Sequence, residues 1–271
     1  MHYYNRFPNL VAYSNICADQ SELPSDKEDF IDESSTLTTA TEADALTSPE
    51  DLYVVLQVCD ILTRYAVIYS IDIYYLMSMR MDRVVSFNES FTLQLVMAQI
   101  MATSAFKVRV LCPHSLRTLK FSDRVSELYP ELMKTVIRQH QSNSTICAPD
   151  AGMAKKLDSI SDALLFEKQR DYSTNKISNY RLSYIPNKVH NTILVVDDLL
   201  DTGGTACKAY DILREKFPEA KINYFAIHAV NINGIERLSK VFDNVYITDS
   251  FNDWDLDFEN VHVTKVTLPQ N

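Results

Sequence analysis

Asp197 and Asp198 lead almost directly into Asp201-Thr202-Gly203-Gly204-Thr205, a stretch that holds two of the only four glycines in 271 residues. The run Ile193–Val196 before them is apolar and reads as a buried parallel strand, with the two acids at its C-terminal end. A turn of small, hydroxyl-bearing residues between a strand and a helix suits a phosphate. Backbone N–H groups at a helix N-terminus point outward with the positive end of the dipole, and an anion takes up their hydrogen bonds. Gly203 and Gly204 let the backbone approach it, and Thr202 and Thr205 add hydroxyl donors. Asp197 and Asp198 then stand where the hydroxyls of a phosphorylated ribose, or a metal ion, could be held. The plainer reading is a strand–turn–helix with Asp as a cap and Gly for the turn.

Four other groupings carry residues able to do chemistry. Ile71–Arg83 ends an expected strand in a charged segment holding Arg80, Asp82 and Arg83, which read alone is a solvated loop. His114 follows the apolar run Val110-Leu111-Cys112, at the kind of strand end where α/β proteins place ligand groups. Ala148-Pro149-Asp150-Ala151-Gly152 holds the third glycine, again between a strand and a helix, and Asp150 suits the cap of a short helix. Phe166-Glu167-Lys168-Gln169-Arg170 sets cations at a strand end, ahead of a polar stretch 171–179 with neither helical nor strand periodicity.

The elements that must position these groups alternate. Ser48-Pro49-Glu50-Asp51 supplies a cap, a proline for the first turn and acids near a helix N-terminus, so a helix of about four turns follows through Leu62. Hydrophobic periodicity then predicts strand 67–75, helix 89–103, strand 107–111, helix 128–140, strand 144–148, helix 151–158 and strand 162–166. A second set runs through strands 180–185 and 192–196, helix 204–217, strand 222–229, helix 233–241 and strands 244–248 and 261–266. Strands alternating with helices imply α/β architecture with mostly parallel sheets flanked by helices. We expect one half over 1–140, including an irregular acidic segment at 19–51, and a second over 141–260. Residues 261–271 would then form a terminal strand returning to the first half.

Composition narrows the setting. With 46% apolar and 23% charged residues the chain is globular, and no apolar run reaches the length of a membrane span. A net charge of -10 argues against nonspecific nucleic-acid binding, which needs a basic surface. Five dispersed cysteines without a CxxC pair, and no apolar h-region near the N-terminus, point to a reducing cytoplasm. Neither GxxxxGK[ST] nor GxGxxG is present, so nucleotide binding cannot rest on those loops.

Taken whole, Ile193–Thr205 resembles the phosphoribosyl-diphosphate motif of type I phosphoribosyltransferases and ribose-phosphate diphosphokinases. The diphosphokinase resemblance extends over roughly residues 48–268. Tyr74–Arg83 is similar to that family's Tyr-x-x-x-x-Arg-Gln-Asp-Arg, and Asn88–Val96 follows in register, with Met81, Asn88 and Ser90 departing from it. His114 matches its Asp-Leu-His segment, Ala148–Lys156 its Ser-Pro-Asp-x-Gly-x-x-Lys/Arg motif, and Lys168 with Arg170 its Lys-x-Arg. Tyr224–Ala229 and Gly234–Arg237 are lesser matches, and Arg6-Phe7-Pro8-Asn9 is similar to part of its adenine loop.

The resemblance implies two phosphoribosyltransferase-like domains and a cytoplasmic enzyme that transfers the diphosphate of ATP to the anomeric hydroxyl of ribose 5-phosphate. It places the sugar phosphate on Asp201, Thr202, Gly203, Gly204 and Thr205, and the ribose on Asp197 and Asp198. It assigns ATP to Arg80, Asp82, Arg83 and His114, and Mg²⁺ to His114 and Asp150. Lys168 and Arg170 become catalytic, stabilising the charge that spreads over the transferred group during in-line displacement. A homo-oligomer, dimer or hexamer, is implied as well, with neither nucleic acid nor membrane as partner. Rival readings are a larger acceptor such as ADP-ribose, a phosphoribosyltransferase, and a noncatalytic regulatory subunit.

Overall fold

The computed structural model describes residues 4–6, 12–14, 39–43, 45–64, 68–157, 162–170 and 177–266. Two compact units divide the chain, Met1–Pro130 and Glu131–Asn271. Among the described residues, no helix is long and apolar enough to cross a membrane.

In the first unit, strands β1 (Tyr4–Arg6) and β2 (Ala12–Ser14) pair antiparallel. Strand β3 (Thr39–Ala43), helix α1 (Pro49–Arg64), β4 (Tyr69–Ile73), α2 (Thr92–Met101), β5 (Lys107–Leu111) and β6 (Val125–Leu128) follow. Their four-stranded sheet has the order β3-β4-β5-β6 and is parallel throughout. Helix α1 starts where the sequence signals it, through a reciprocal cap: Ser48 N–H donates to Asp51 Oδ2, and Asp51 N–H donates to Ser48 Oγ. Its inner residues, Leu52, Val55, Cys59 and Leu62 among them, are buried. Every residue of β4 is buried, Asp72 included, and Arg109 on β5 grips that carboxylate with Nε and Nη2 at 2.6 Å each. A buried acid persists only with such a partner.

Strand β6 departs from the expected helix 128–140, which begins only at Leu132 in the second unit. Val125-Ser126-Glu127-Leu128 is short and half polar, so its own pattern is weak; the ladder to β5 decides its conformation. Arg124, just before it, closes the end of α2 by donating to Met101 O at 2.6 Å, Ala105 O at 2.7 Å and Thr103 O at 3.1 Å. A cation on the last carbonyls of a helix satisfies both their lone pairs and the dipole. Arg124→Met is expected to lower the stability of this unit by about 1–2 kcal/mol, read as a lower denaturant midpoint with an unchanged slope.

The second unit contains α3 (Leu132–Gln141), β7 (Thr145–Ala148), α4 (Ala151–Lys156), β8 (Leu164–Arg170) and β9 (Ile177–Tyr184). After these come β10 (Thr192–Leu200), α5 (Gly204–Lys216), β11 (Lys221–Ala229), α6 (Ile232–Ser239), β12 (Asn244–Thr248) and β13 (Val261–Thr264). The seven-stranded sheet has the order β13-β12-β11-β10-β7-β8-β9 and is parallel except for the β8–β9 hairpin. Ile193, Val195, Tyr224, Ala226 and Val245 of its central strands pack with Ala209 and Leu213 of α5 and Ile235 and Leu238 of α6 into one core.

Three boundaries differ from the sequence reading. Strand β10 continues past Val196 through both aspartates to Leu200, because its ladder to β11 extends to Leu200↔Ala229. Strand β8 runs through Lys168 to Arg170, and β9 starts at Ile177, because the two pair antiparallel. Residues 261–264 do not return to the first unit; they pair in parallel with β12 at the edge of the second sheet.

Candidate functional site

The glycine-bearing turn sits at the C-terminal end of β10, where parallel sheets open toward ligands. Gly203 has φ +72°, the left-handed region open to glycine, and stands as the N-cap of α5. Helix α5 has no side-chain cap. Its first turn therefore offers the dipole end and backbone donors that the sequence reading assigns to a phosphate.

Helix α6 supports this turn from behind. A Cβ on Gly234 would lie 1.8 Å from the backbone oxygen of Asp201, so only glycine lets the helix come this close. Arg237 donates from Nη1 to Thr202 O at 2.8 Å. Asn231 works in two directions: its Nδ2 donates to Asp201 Oδ1 at 3.3 Å, while its own Oδ1 accepts from Asn233 N–H and caps α6. Leu238 Cδ2 packs against Gly203, 3.0 Å from where a Cβ would stand.

Asp197 and Asp198 both lie within β10, near its C-terminal end, and their carboxyls are close enough to act on one another. Asp198 is buried and meets Lys156, from the last turn of α4, with Nζ to Oδ2 at 2.6 Å. Asp197 accepts from the backbone N–H of Asp198 at 2.9 Å. Burial, and then the negative charges of Asp198 and Asp150, push the Asp197 carboxyl well above the ordinary carboxylate range. A cation arriving here relieves that repulsion.

Asp150 is the N-cap of α4: its Oδ1 accepts from Met153 N–H at 2.9 Å, and its Oδ2 accepts from Lys168 Nζ at 3.0 Å. The helix-cap reading is therefore realised, and the same carboxylate also holds the lysine. Lys168 stands on β8 directly across from Tyr180 on β9, 5.9 Å from its ring centroid. Tyr180 donates its hydroxyl to Pro149 O at 2.9 Å and stacks on Phe166 with centroids 4.9 Å apart. Burial pushes its phenol up, so it keeps the proton it donates. Hairpin, Asp150 and lysine are thus tied together.

Among the described residues, no three His, Cys, Asp or Glu side chains gather into a group that could hold a metal by themselves. Asp150, Asp197 and Asp198 nonetheless offer the hard oxygen donors that Mg²⁺ takes, and Mg²⁺ is commonly held by one or two carboxylates together with substrate phosphates and water.

The remaining expected residues belong to the first unit, except Arg170. Arg80 is exposed and His114 half-buried, and each follows a strand end with strained backbone: φ is +61° at Ser78 and +37° at Cys112. Asp82 is buried, with Arg83 Nε 3.3 Å from its Oδ1 and Arg117 Nη1 donating to its backbone oxygen at 3.0 Å. That carboxylate faces protein rather than solvent. Arg170 ends β8, but its side chain lies outside the described residues, as does the Phe7-Pro8-Asn9 segment.

Sequence reasoning missed Lys156 and Tyr180 as site residues, and gave Gly234 and Arg237 no role beyond supporting a match. A usable signal existed for Gly234: in a chain this poor in glycine, a glycine inside a helix marks a close approach.

No family model matches the chain. The ribose-phosphate pyrophosphokinase of Pyrococcus furiosus is 29% identical over 182 residues, which cover 65% of this chain and 64% of that enzyme. The ribose-phosphate pyrophosphokinase of Synechococcus elongatus is 28% identical over 184 residues, 63% of this chain and 54% of that one. The chain thus spans less than two thirds of the length of these relatives. In fold, the chain is similar to the phosphoribosylpyrophosphate synthetase of Mycobacterium smegmatis, with a TM-score of 0.72 and 16% identity over 98% of this chain and 86% of that one. By sequence the chain is similar to ribose-phosphate pyrophosphokinases, and it shares the α/β fold of a phosphoribosylpyrophosphate synthetase.

Proposed function

We propose that the chain transfers the β,γ-diphosphate of ATP to the anomeric hydroxyl of ribose 5-phosphate, forming phosphoribosyl diphosphate and AMP. The observation that carries this reading is the left-handed Gly203 turn at the uncapped start of α5, set in one unit with Asp197, Asp198 and the Asp150–Lys168 pair. Asp201, Thr202, Gly203, Gly204 and Thr205 hold the 5-phosphate, and Asp197 and Asp198 accept from the ribose hydroxyls. The anomeric oxygen attacks the β-phosphorus, the bond from that phosphorus to the α,β-bridging oxygen breaks, and AMP leaves with that oxygen. Lys168 and Arg170 hold negative charge on the transferring group. Arg80, Arg83 and His114 hold ATP; Asp82, sequestered from solvent, acts by orienting Arg83. Asp150 offers the hard oxygen donors that would receive Mg²⁺ with ATP, and His114 is assigned to the ion by resemblance alone; the ion would supply charge neutralisation at the phosphates.

The test is incubation with Mg-ATP and ribose 5-phosphate or ADP-ribose, with products identified by mass. Formation of phosphoribosyl diphosphate and AMP is the expected result. AMP formed only with ADP-ribose moves the reading to a larger acceptor, and AMP formed with neither overturns diphosphate transfer.

A further inference from the structure

Lys156 is the cation that the motif match did not select. The match falls on Lys155, but helix α4 directs Lys155 to solvent and turns Lys156 toward the sheet. Its Nζ lies 2.6 Å from Asp198 Oδ2, a charge-assisted contact with a carboxylate that is almost completely buried. Helix α4 thereby supplies two anchors to neighbouring strand ends: its N-cap Asp150 holds Lys168, and its last turn holds Asp198.

We infer that Lys156 is the positioning residue through which the site selects a sugar bearing a 2-hydroxyl, by fixing the Asp198 carboxylate that reads it. The inference rests on the ribosyl-acceptor reading above. An acceptor discriminates against a sugar lacking a hydroxyl only when it is held in place; a carboxylate free to rotate or to find another partner loses little when the hydroxyl is absent. Lys156 grips one oxygen of Asp198, which sets the plane of the carboxylate and so the direction of its other oxygen. Asp197, the next residue back along β10, accepts from the Asp198 backbone N–H and feels the Asp198 charge, so the grip on Asp198 also fixes the field around its neighbour. Lysine is well suited to this role, because a compact charge with three donors can hold the acid and still give an N–H to a sugar oxygen.

The experiment compares ribose 5-phosphate with 2-deoxyribose 5-phosphate at saturating Mg-ATP for the unaltered chain, Lys156→Gln and Lys156→Arg. Lys156→Gln is expected to lower kcat/KM for ribose 5-phosphate by about tenfold to a hundredfold, with little change for the deoxy sugar, so that the ratio between them collapses. Lys156→Arg restores most of that ratio. An equal fall for both sugars makes Lys156 merely structural and overturns the inference, as does an unchanged ratio. Protection against thermal unfolding by each sugar phosphate gives the same ratio without turnover. A chain that binds ribose 5-phosphate but releases no AMP therefore sinks diphosphate transfer while the role of Lys156 is still decided. If Lys156→Gln does not fold, Lys156→Met, which keeps the stem and removes the charge, is read in the same way.

Discussion

Lys168→Ala is expected to cut the rate of AMP release by about 100- to 1,000-fold, the loss that follows removal of one preorganised charge-stabilising donor. The lysine is placed for this by three contacts: it sits on a paired strand, its Nζ is 3.0 Å from Asp150 Oδ2, and Tyr180 covers it from the facing strand. Its removal leaves Asp150 still capping α4 through Met153 N–H, on a carboxylate open enough for water to replace the lysine. Stability should therefore change little, and the melting temperature serves as the control. A loss confined to KM, with kcat intact, would mean that Lys168 binds a ground state and does not stabilise the transferring group. Tyr180→Phe removes only the hydroxyl bond to Pro149 O and should give a smaller loss of the same kind.

Gly234→Ala is the largest expected structural effect. The new methyl carbon would stand 1.8 Å from Asp201 O and 2.9 Å from Asp201 C, both backbone atoms of the turn itself. No flexible side chain can move aside, so α6 or the turn must shift. Overpacking of this kind costs about 1–3 kcal/mol in most cores, and a backbone-to-backbone clash belongs at or above the top of that range. With about 2–4 °C per kcal/mol for a unit of this size, the melting temperature should fall by at least about 6 °C. Protection by ribose 5-phosphate should fall with it, because Asp201 and Thr202 are displaced together. Gly204→Ala is the informative contrast, since its nearest neighbour would be Thr202 Oγ1 at 3.8 Å, an ordinary contact. Equal melting temperatures for the Gly234→Ala chain and the unaltered chain would show that α6 does not brace the turn.

What could be read from the sequence was whatever one residue type implies by itself. Gly203 advertises its left-handed backbone, a run of Ile-Leu-Val-Val advertises a buried strand, and Asp150 advertises a helix cap. Relations across the fold were not legible. Asp197 and Asp198 look like the end of a strand because they are charged, yet the ladder to β11 carries them inside it. Tyr180 becomes a site residue only through antiparallel pairing that sets it across from Lys168, and nothing in its own neighbourhood announces that register. Lys156 differs from Lys155 only in the direction a short helix gives each side chain. The last strand was misassigned because Val261–Thr264, alternating between half-buried and exposed residues, fits either sheet edge equally well on pattern alone.

The close seating of α6 on Asp201 also fixes how large a piece must be moved if this glycine-bearing turn is ever transplanted. A fragment ending with α5 would carry the glycine pair and the aspartates but leave behind Asn231, Gly234, Arg237 and Leu238, the surface against which the turn takes its shape. The portable module therefore runs from Thr192 to Ser239, a β-α-β-α segment, and a shorter graft should yield the right residues on a loop without a mould.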